Sequence, residues 1–275
     1  MAHPKAILRQ FGIKPKKSLG QNFLFDDNIL SQIVGAASVQ PEDEVLEIGA
    51  GLGHLTGHLA NAARRVVALE IDQRLMPPLR LQLAEYKNVV LVNTDVLSMD
   101  PSTYFPADYI VVANIPYYIS GAILRHLLTK RPRPMRMVLT VQEEVADRLA
   151  AEPGELSLLA VSVQYYGTVS RLVKIRAGAF WPSPNINSTV VRIDVNEKLP
   201  LPDAEEAAFF RLVKVGFAQK RKQLQKNLRV FGSSRRRIYQ ALERAKIDPR
   251  RRPQSLSVTE WLALYQSLKA ENVLQ

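Results

Sequence analysis

Between residues 44 and 142, short apolar runs alternate with amphipathic stretches, and no other feature constrains the fold of this chain as tightly. EVLEIG (44–49), RVVALEI (65–71), VVLVN (89–93), YIVVAN (109–114) and RMVLTVQ (136–142) read as strands. Residues 53–63, 73–85, 120–129 and 143–151 read as helices between or after them. A strand covered by helices on both faces shows a continuous Val/Ile/Leu run in place of alternation, and a parallel partner requires a crossover. The pattern therefore predicts an α/β fold, a doubly wound parallel sheet. Further on, LSLLAVSVQYYG (156–167) has a helical pattern, while VSRLVKI (169–175) and TVVRIDV (189–195) have strand patterns joined by the rigid connector FWPSPNINS (180–188). These two late strands are expected to close the sheet as an antiparallel edge.

The segment NEKLPLPDAEE (196–206) holds two prolines and several charges, and beyond it no strand pattern recurs. The expected organisation is a sheet domain over 1–197 and a small all-helical domain over 198–275. Helices are expected at 203–217, 219–230, 234–245 and 258–270, the last introduced by SVTE, a capping-box pattern, ahead of Trp261.

Charge is unevenly distributed. Residues 211–252 hold fifteen Lys or Arg against two acids, a local balance of +13, while the whole chain carries +11. A solvated helix face normally mixes signs, so this one-sided excess points to contact with nucleic acid. Lys220, Arg221 and Lys222, with Arg235, Arg236 and Arg237, are the candidate RNA-binding residues. With 47% hydrophobic residues the chain can bury a sizeable core, yet no stretch approaches the roughly 18 apolar residues that cross a bilayer. The opening MAHPKAILRQFGIKPKK has no hydrophobic block of signal-peptide type, and the expectation is a cytoplasmic protein without a membrane partner. The absence of cysteine excludes disulfides, thiolate metal ligands and a Cys nucleophile. His54 and His58 stand four apart, but Leu55 occupies the position where a zinc protease needs Glu, so no metal site is expected.

The first strand runs into EIGAGLGH, with glycines at 49, 51 and 53. Glycines let a backbone turn sharply and approach a ligand at the mouth of an open α/β sheet. The dinucleotide fingerprint G-x-G-x-x-G is not met, because the sixth position from Gly49 is His54 and from Gly51 is Thr56. The G-x-G-x-G spacing favours S-adenosylmethionine, which has no pyrophosphate to seat on a helix N-terminus. Glu70, at the end of the second strand and about 20 residues on, is placed to accept both ribose hydroxyls. Asp95, at the end of the third, is placed to accept from an adenine amine. Acids at strand ends also cap helices or face solvent; three consecutive strand ends bearing the needed groups favour a nucleoside. Glu47, just before the glycines, orients either the turn or the methionine amine, or is a satisfied buried acid.

NIPY (114–117) follows the fourth strand. An exocyclic adenine amine is a poor nucleophile because its lone pair is delocalised into the ring. Two acceptors, the Asn114 side-chain oxygen and the Ile115 carbonyl, can each take one N–H and draw the amine toward tetrahedral geometry, while Pro116 stiffens the turn. Tyr117 can stack on an unpaired base. A plain proline turn with an aromatic lid is the competing account of this stretch.

Eight motifs in order resemble the ribosomal RNA adenine N6,N6-dimethyltransferase family, in its bacterial small-subunit, kasugamycin-resistance branch: KKSLGQNFL (16–24), VLEIGAGLGHLT (45–56), ALEID (68–72), NTDVL (93–97), NIPYYIS (114–120), VQEEVADRL (141–149), FWPSPNINSTVVRI (180–193) and GFAQKRKQLQKNL (216–228). The resemblance implies a Rossmann-like class I S-adenosylmethionine-dependent methyltransferase. It implies cofactor contacts at Asn22, Leu24, Gly49, Glu70, Asp95 and Asn114, to which the glycine spacing adds Gly51. It also implies that Phe180 lies near the target base, opposite the NIPY tyrosine; a core Phe is the alternative there. The chain departs from the family at Ile115, where Leu is common, at Tyr118, where Asn is common, and at Glu143 and Asn185, where Lys is common.

The implied reaction moves methyl groups to the exocyclic N6 of two adjacent adenosines, each twice, in a hairpin loop near the 3′ end of 16S rRNA. The implied partner is the small ribosomal subunit or its precursor, with a role in subunit biogenesis, and the enzyme is expected to be a monomer. A sulfonium is already a good leaving group, so positioning is expected to carry most of the catalysis. Two other readings share many of these features: the antibiotic-resistance branch acting on large-subunit rRNA, and a binding module that uses the fold without catalysis.

Overall fold

The computed structural model describes residues 1–116 and 119–274. It divides into two compact units, Met1–Ala146 with Thr168–Val195, and Asp147–Gly167 with Asn196–Gln275.

In the first unit, α1 (Pro4–Gln10), β1 (Phe23–Leu24) and α2 (Asp27–Ala37) precede the sheet. The Asp26 carboxylate accepts from the Ile29 N–H at 3.1 Å and so starts α2. The sheet strands follow in the predicted rhythm: β2 (Glu44–Ile48), α3 (His54–Ala62), β3 (Arg65–Glu70), α4 (Met76–Gln82), β4 (Val89–Asn93), β5 (Ile110–Asn114), α5 (Ser120–Thr129) and β6 (Arg136–Gln142). Helices α6 (Glu143–Leu149) and α7 (Leu158–Gln164) lead to β7 (Gly167–Ile175), β8 (Phe180–Trp181) and β9 (Ser188–Val195).

Strand order is β4-β3-β2-β5-β6-β9-β7, and β8 pairs separately with β1. Strands β2 to β6 run parallel, and β9 is antiparallel to β6, as the late strand patterns suggested. Chain order reverses between β2 and β5, so the carboxyl ends of these two neighbours frame the crevice where open α/β sheets bind ligands. The central strands are buried throughout, from Val45 and Leu46 to Val111 and Val112. VVLVN differs: β4 is an edge strand and Val90 is 38% exposed, although its Val run reads as fully covered. The helix expected at 73–85 is shorter, because a 3-10 turn over Gln73–Leu75 precedes α4, whose first turn carries Pro77 and Pro78.

The second unit contains α7 together with α8 (Asp203–Gly216), α9 (Leu224–Asn227), α10 (Arg235–Arg244) and α11 (Val258–Ala270). The capping box is present: Glu260 N–H donates to Ser257 Oγ at 3.1 Å, and Ser257 N–H to Glu260 Oε2 at 2.8 Å. The helix expected over 219–230 is instead the one-turn α9 followed by a 3-10 turn, Leu228–Phe231. The division also revises the expected boundary, because 147–167 groups with the helical unit although the sequence reading assigned it to 1–197. Aromatic packing explains this. The Tyr165 ring stacks on Phe209 at 5.0 Å, and Tyr166 Oη donates to Glu206 Oε2 at 3.0 Å, contacts made across some forty residues that no local pattern reveals.

Candidate active site

The turn after β2 is shaped by backbone bonds and one carboxylate. The Gly49 and Ala50 N–H groups both donate to the Leu69 carbonyl at 2.9 Å, drawing the turn against the end of β3. Gly51 has φ +60°, and a Cβ there would stand 3.1 Å from Phe23 Cδ1, so glycine alone satisfies both the conformation and the space. Its N–H donates to Glu70 Oε2 at 2.8 Å, while the Asp72 N–H donates to Glu70 Oε1 at 2.8 Å. Burial pushes the Glu70 carboxyl up, and these two backbone donors oppose that shift. Glu70 therefore organises the glycine turn as well as lying on the cleft, and each oxygen keeps a further lone pair for a ligand.

Glu47, the last but one residue of β2, is 1% exposed, and its Oε2 makes no hydrogen bond among the described residues. Burial raises its carboxyl to about 8; the nearby Thr56 hydroxyl opposes that shift and the Glu70 charge adds to it. A cationic ligand beside it would lower that value again, so Glu47 accepts from such a donor only by releasing its proton.

On the other side of the switch point, β5 ends at Asn114. Its Nδ2 donates to the Asn22 carbonyl at 3.2 Å, a contact between residues 92 apart in sequence. The amide nitrogen is thus held by the N-terminal arm, which leaves Oδ1 as the acceptor for a ligand. Ile115, 1% exposed, and Pro116 continue the wall. The arm is itself anchored. Phe23 and Leu24 pair with Trp181 and Phe180, and Gln21 Nε2 donates to Asp72 Oδ2 at 2.9 Å. The Arg74 guanidinium beside Asp72 holds that carboxyl down at about 2, with Gln21 also contributing, and Arg74 Nη1 reaches back to the Lys14 carbonyl at 3.3 Å.

These groups line one open cleft at the carboxyl ends of β2, β3 and β5. Asn22, Leu24, Gly49, Gly51, Glu70 and Asn114 all line it, as do Glu47, Ile115 and Pro116. Two predicted residues do not. Asp95 stands outside the lining and caps the turn after β4, accepting from Leu97 N–H at 2.9 Å. Phe180 is 3% exposed in the hydrophobic core with Leu24, Val138 and Val190, because pairing of β8 with β1 turns its side chain inward. Leu24, its pairing partner, shares that core and still lines the cleft, so this burial is compatible with the expected place beside the target base as well as with the core alternative. Tyr117 and Tyr118 lie outside the described residues. Gln21, Asp72 and Arg74 escaped the sequence reading. The first two fall inside GQNFL and ALEID, but no spacing signalled that they meet.

Elsewhere in the first unit, Glu143 pairs with Lys174 at 2.7 Å, and Asn185 is exposed. His58 pairs with Asp27 at 3.1 Å, whereas His54 contacts the Ala2 carbonyl at 3.0 Å. In the second unit, Lys220, Arg221, Lys222, Arg235, Arg236 and Arg237 are all exposed, and none forms a salt bridge among the described residues. Arg235 lies over the Tyr239 ring at 5.1 Å.

A seven-stranded sheet in which β9 runs antiparallel to β6, a G-x-G-x-G turn clamped by the next strand's carboxylate, and a polar cleft at the switch point define a class I S-adenosylmethionine-dependent methyltransferase. The buried, unpartnered Glu47 oxygen and the Glu70 carboxylate fit a ligand that carries positive charge and hydroxyl donors.

A family model described as ribosomal RNA adenine dimethylase matches residues 12–270. Ribosomal RNA small subunit methyltransferase A of Lactiplantibacillus plantarum is 41% identical over 286 residues, covering 99% of this chain and 96% of its own. The protein of the same name from Geobacillus thermodenitrificans is 41% identical over 276 residues, covering 96% and 94%. Among solved structures, a dimethyladenosine transferase from Plasmodium falciparum superposes with TM-score 0.79 at 25% identity over 91% of this chain and 98% of its own. The 23S rRNA methyltransferase ErmE superposes with TM-score 0.75 at 29% identity over 90% and 100%. The chain belongs to the ribosomal RNA adenine dimethylase family, whose members are S-adenosylmethionine-dependent rRNA adenine N6-dimethyltransferases.

Proposed function

We propose that this enzyme dimethylates the N6 amines of two adjacent adenosines in a hairpin loop near the 3′ end of 16S rRNA, within the small ribosomal subunit or its precursor, and that it serves subunit biogenesis. The observation that carries the reading is the fixed amide of Asn114. With Nδ2 engaged by the Asn22 carbonyl, Oδ1 is aimed as an acceptor beside Ile115 at the cofactor cleft.

The bound cofactor supplies an electrophilic methyl on sulfonium. In the first transfer Asn114 Oδ1 and the Ile115 carbonyl each accept one N–H of the target amine, which holds its lone pair toward the cleft; the monomethyl amine offers its one remaining N–H to one of them, and after each transfer the acidified ammonium loses its proton to water while the thioether departs. Pro116 restricts the turn that aims them. Glu70 accepts from the ribose hydroxyls while keeping the Gly51 turn closed, and Glu47 releases its proton to receive the cationic amine of the methionine moiety. Asp95, whose Oδ1 caps the turn at Leu97, keeps Oδ2 to accept from the adenine amine. Tyr117 supplies the stacking face. The exposed basic residues 220–222 and 235–237 of the second unit hold rRNA phosphates, and a monomer suffices for docking on the particle.

The small-subunit assignment rests on relatives of that name at 41% identity over almost the full length, against 29% for the 23S enzyme. Incubation with labelled S-adenosylmethionine and undermethylated small subunits, followed by mass spectrometry of the rRNA, tests it. Two neighbouring dimethyladenosines in 16S rRNA are expected. Label confined to 23S rRNA, or no transfer to any rRNA, overturns the proposal.

A further inference from the structure

A second basic region lies in the first unit, far in sequence from residues 211–252. Lys5, Arg9, Lys14, Lys16 and Lys17 fall within the first 25 residues, which contain no Asp or Glu. The rest of that unit holds fourteen Lys or Arg against fifteen acids, so its positive charge is concentrated in this arm. All five side chains are exposed, and none forms a salt bridge among the described residues.

Packing explains why they face outward. Helix α1 buries Ile7 and Leu8 against Phe23, Leu52 and Leu75, which leaves Lys5 and Arg9 on its solvent side. The chain then runs through Lys14, Lys16 and Lys17 directly into Leu19, Gly20 and Gln21, which line the cofactor cleft. The arm cannot drift, because Arg74 holds the Lys14 carbonyl, Gln21 Oε1 accepts from the Lys16 N–H at 2.7 Å, and Asn22 holds Asn114. Cations without partners, mounted on a rigid support at the rim of the cleft, suit a flexible polyanion whose base must enter that cleft.

We infer that the arm is a second RNA-contact surface, in which Lys14, Lys16 and Lys17, aided by Lys5 and Arg9, grip phosphates flanking the target adenosines at the catalytic cleft. This rests on the proposed rRNA substrate. It assigns the local alignment of the loop to the arm and leaves docking on the particle to the basic helical unit.

The full-length variant Lys14→Glu/Lys16→Glu/Lys17→Glu tests it, beside a Lys→Arg triple variant that keeps the charge. Direct binding to undermethylated small subunits, steady-state methyl transfer and cofactor affinity are measured across salt concentrations. The Glu variant is expected to bind subunits about tenfold more weakly, with a salt slope reduced by about 2 at roughly 0.7 per lost phosphate contact. Cofactor affinity is expected to stay unchanged, and the Arg variant to behave as wild type. Wild-type affinity and slope in the Glu variant overturn the inference. So does loss of cofactor affinity, which marks a structural role, or loss of binding confined to anionic phospholipid vesicles. Transfer by the wild type to no rRNA sinks the proposed function first, and is read independently of the variant.

Discussion

Asn114 shows how a single side chain is given its task by a distant one. An amide free to flip would present nitrogen or oxygen to the cleft equally, and only the oxygen can accept from an amine. The Asn22 carbonyl removes that freedom. Asn114→Ala is expected to lower methyl transfer about 100-fold or more, the scale of losing one preorganised polar group, while cofactor-free stability and subunit binding persist. Retained dimethylation by mass spectrometry would refute the role. Glu47 makes a different prediction. Its usual value of 4.5 is raised to about 8 by burial, so between these values the native state keeps a proton that the unfolded chain has released. Native stability therefore falls as pH rises through that window and is unaffected below it, a loss that reaches a few kcal/mol. Glu47→Gln is expected to melt above the wild type at pH 8 and to converge with it near pH 5. Parallel melting curves across that range would exclude a buried proton on Glu47.

At the level of elements, the sheet places chemistry at strand ends, and the helical unit depends on close packing. Gly216 closes α8 under the Trp261 ring: a Cβ there would come within 3.0 Å of Trp261 Cζ3 and 3.1 Å of Leu224 Cδ1. Trp261 is fully buried and also stacks on Phe217 at 5.7 Å, so it has nowhere to retreat. Gly216→Ala is expected to destabilise the helical unit by about 1–3 kcal/mol through overpacking, despite alanine's higher helix propensity. Thermal unfolding monitored by tryptophan fluorescence measures this, and a gain in stability would show that the ring can move. The end of β4 illustrates a second role for the strand termini. Asn93 Nδ2 donates to the Glu70 carbonyl at 2.7 Å and Thr94 N–H to the same oxygen at 3.1 Å, so NTD steadies the neighbouring strand end independently of any ligand.

Over the whole molecule, charge is divided by region: +13 over 211–252 against +11 for the entire chain. Arg235→Glu/Arg236→Glu/Arg237→Glu is expected to weaken subunit binding and reduce its salt slope while cofactor affinity stays at the wild-type level. Filter binding over a salt series reads this, and equal slopes would remove those three residues from the RNA contact.

Much of this was written in local sequence. Continuous Val/Ile/Leu runs with helices between them determined a parallel sheet, because burial on both faces leaves no room for polar alternation. Glycines 49 and 51 and the acid at Glu70 marked the cleft, since backbone conformation and strand-end position are local properties. SVTE marked the start of α11 for the same reason. What depended on contacts between distant segments was not legible. That Phe180 pairs with Leu24 and packs in the core, and that Tyr165 of LSLLAVSVQYYG meets Phe209, could not be read from spacing. Periodicity reports which face of an element is apolar, but not what covers that face. Only the tertiary structure decided that Asn22 would hold Asn114, and that Gln21, Asp72 and Arg74 would lock the arm in place, because hydrogen bonds across 51 and 92 residues leave no trace in spacing.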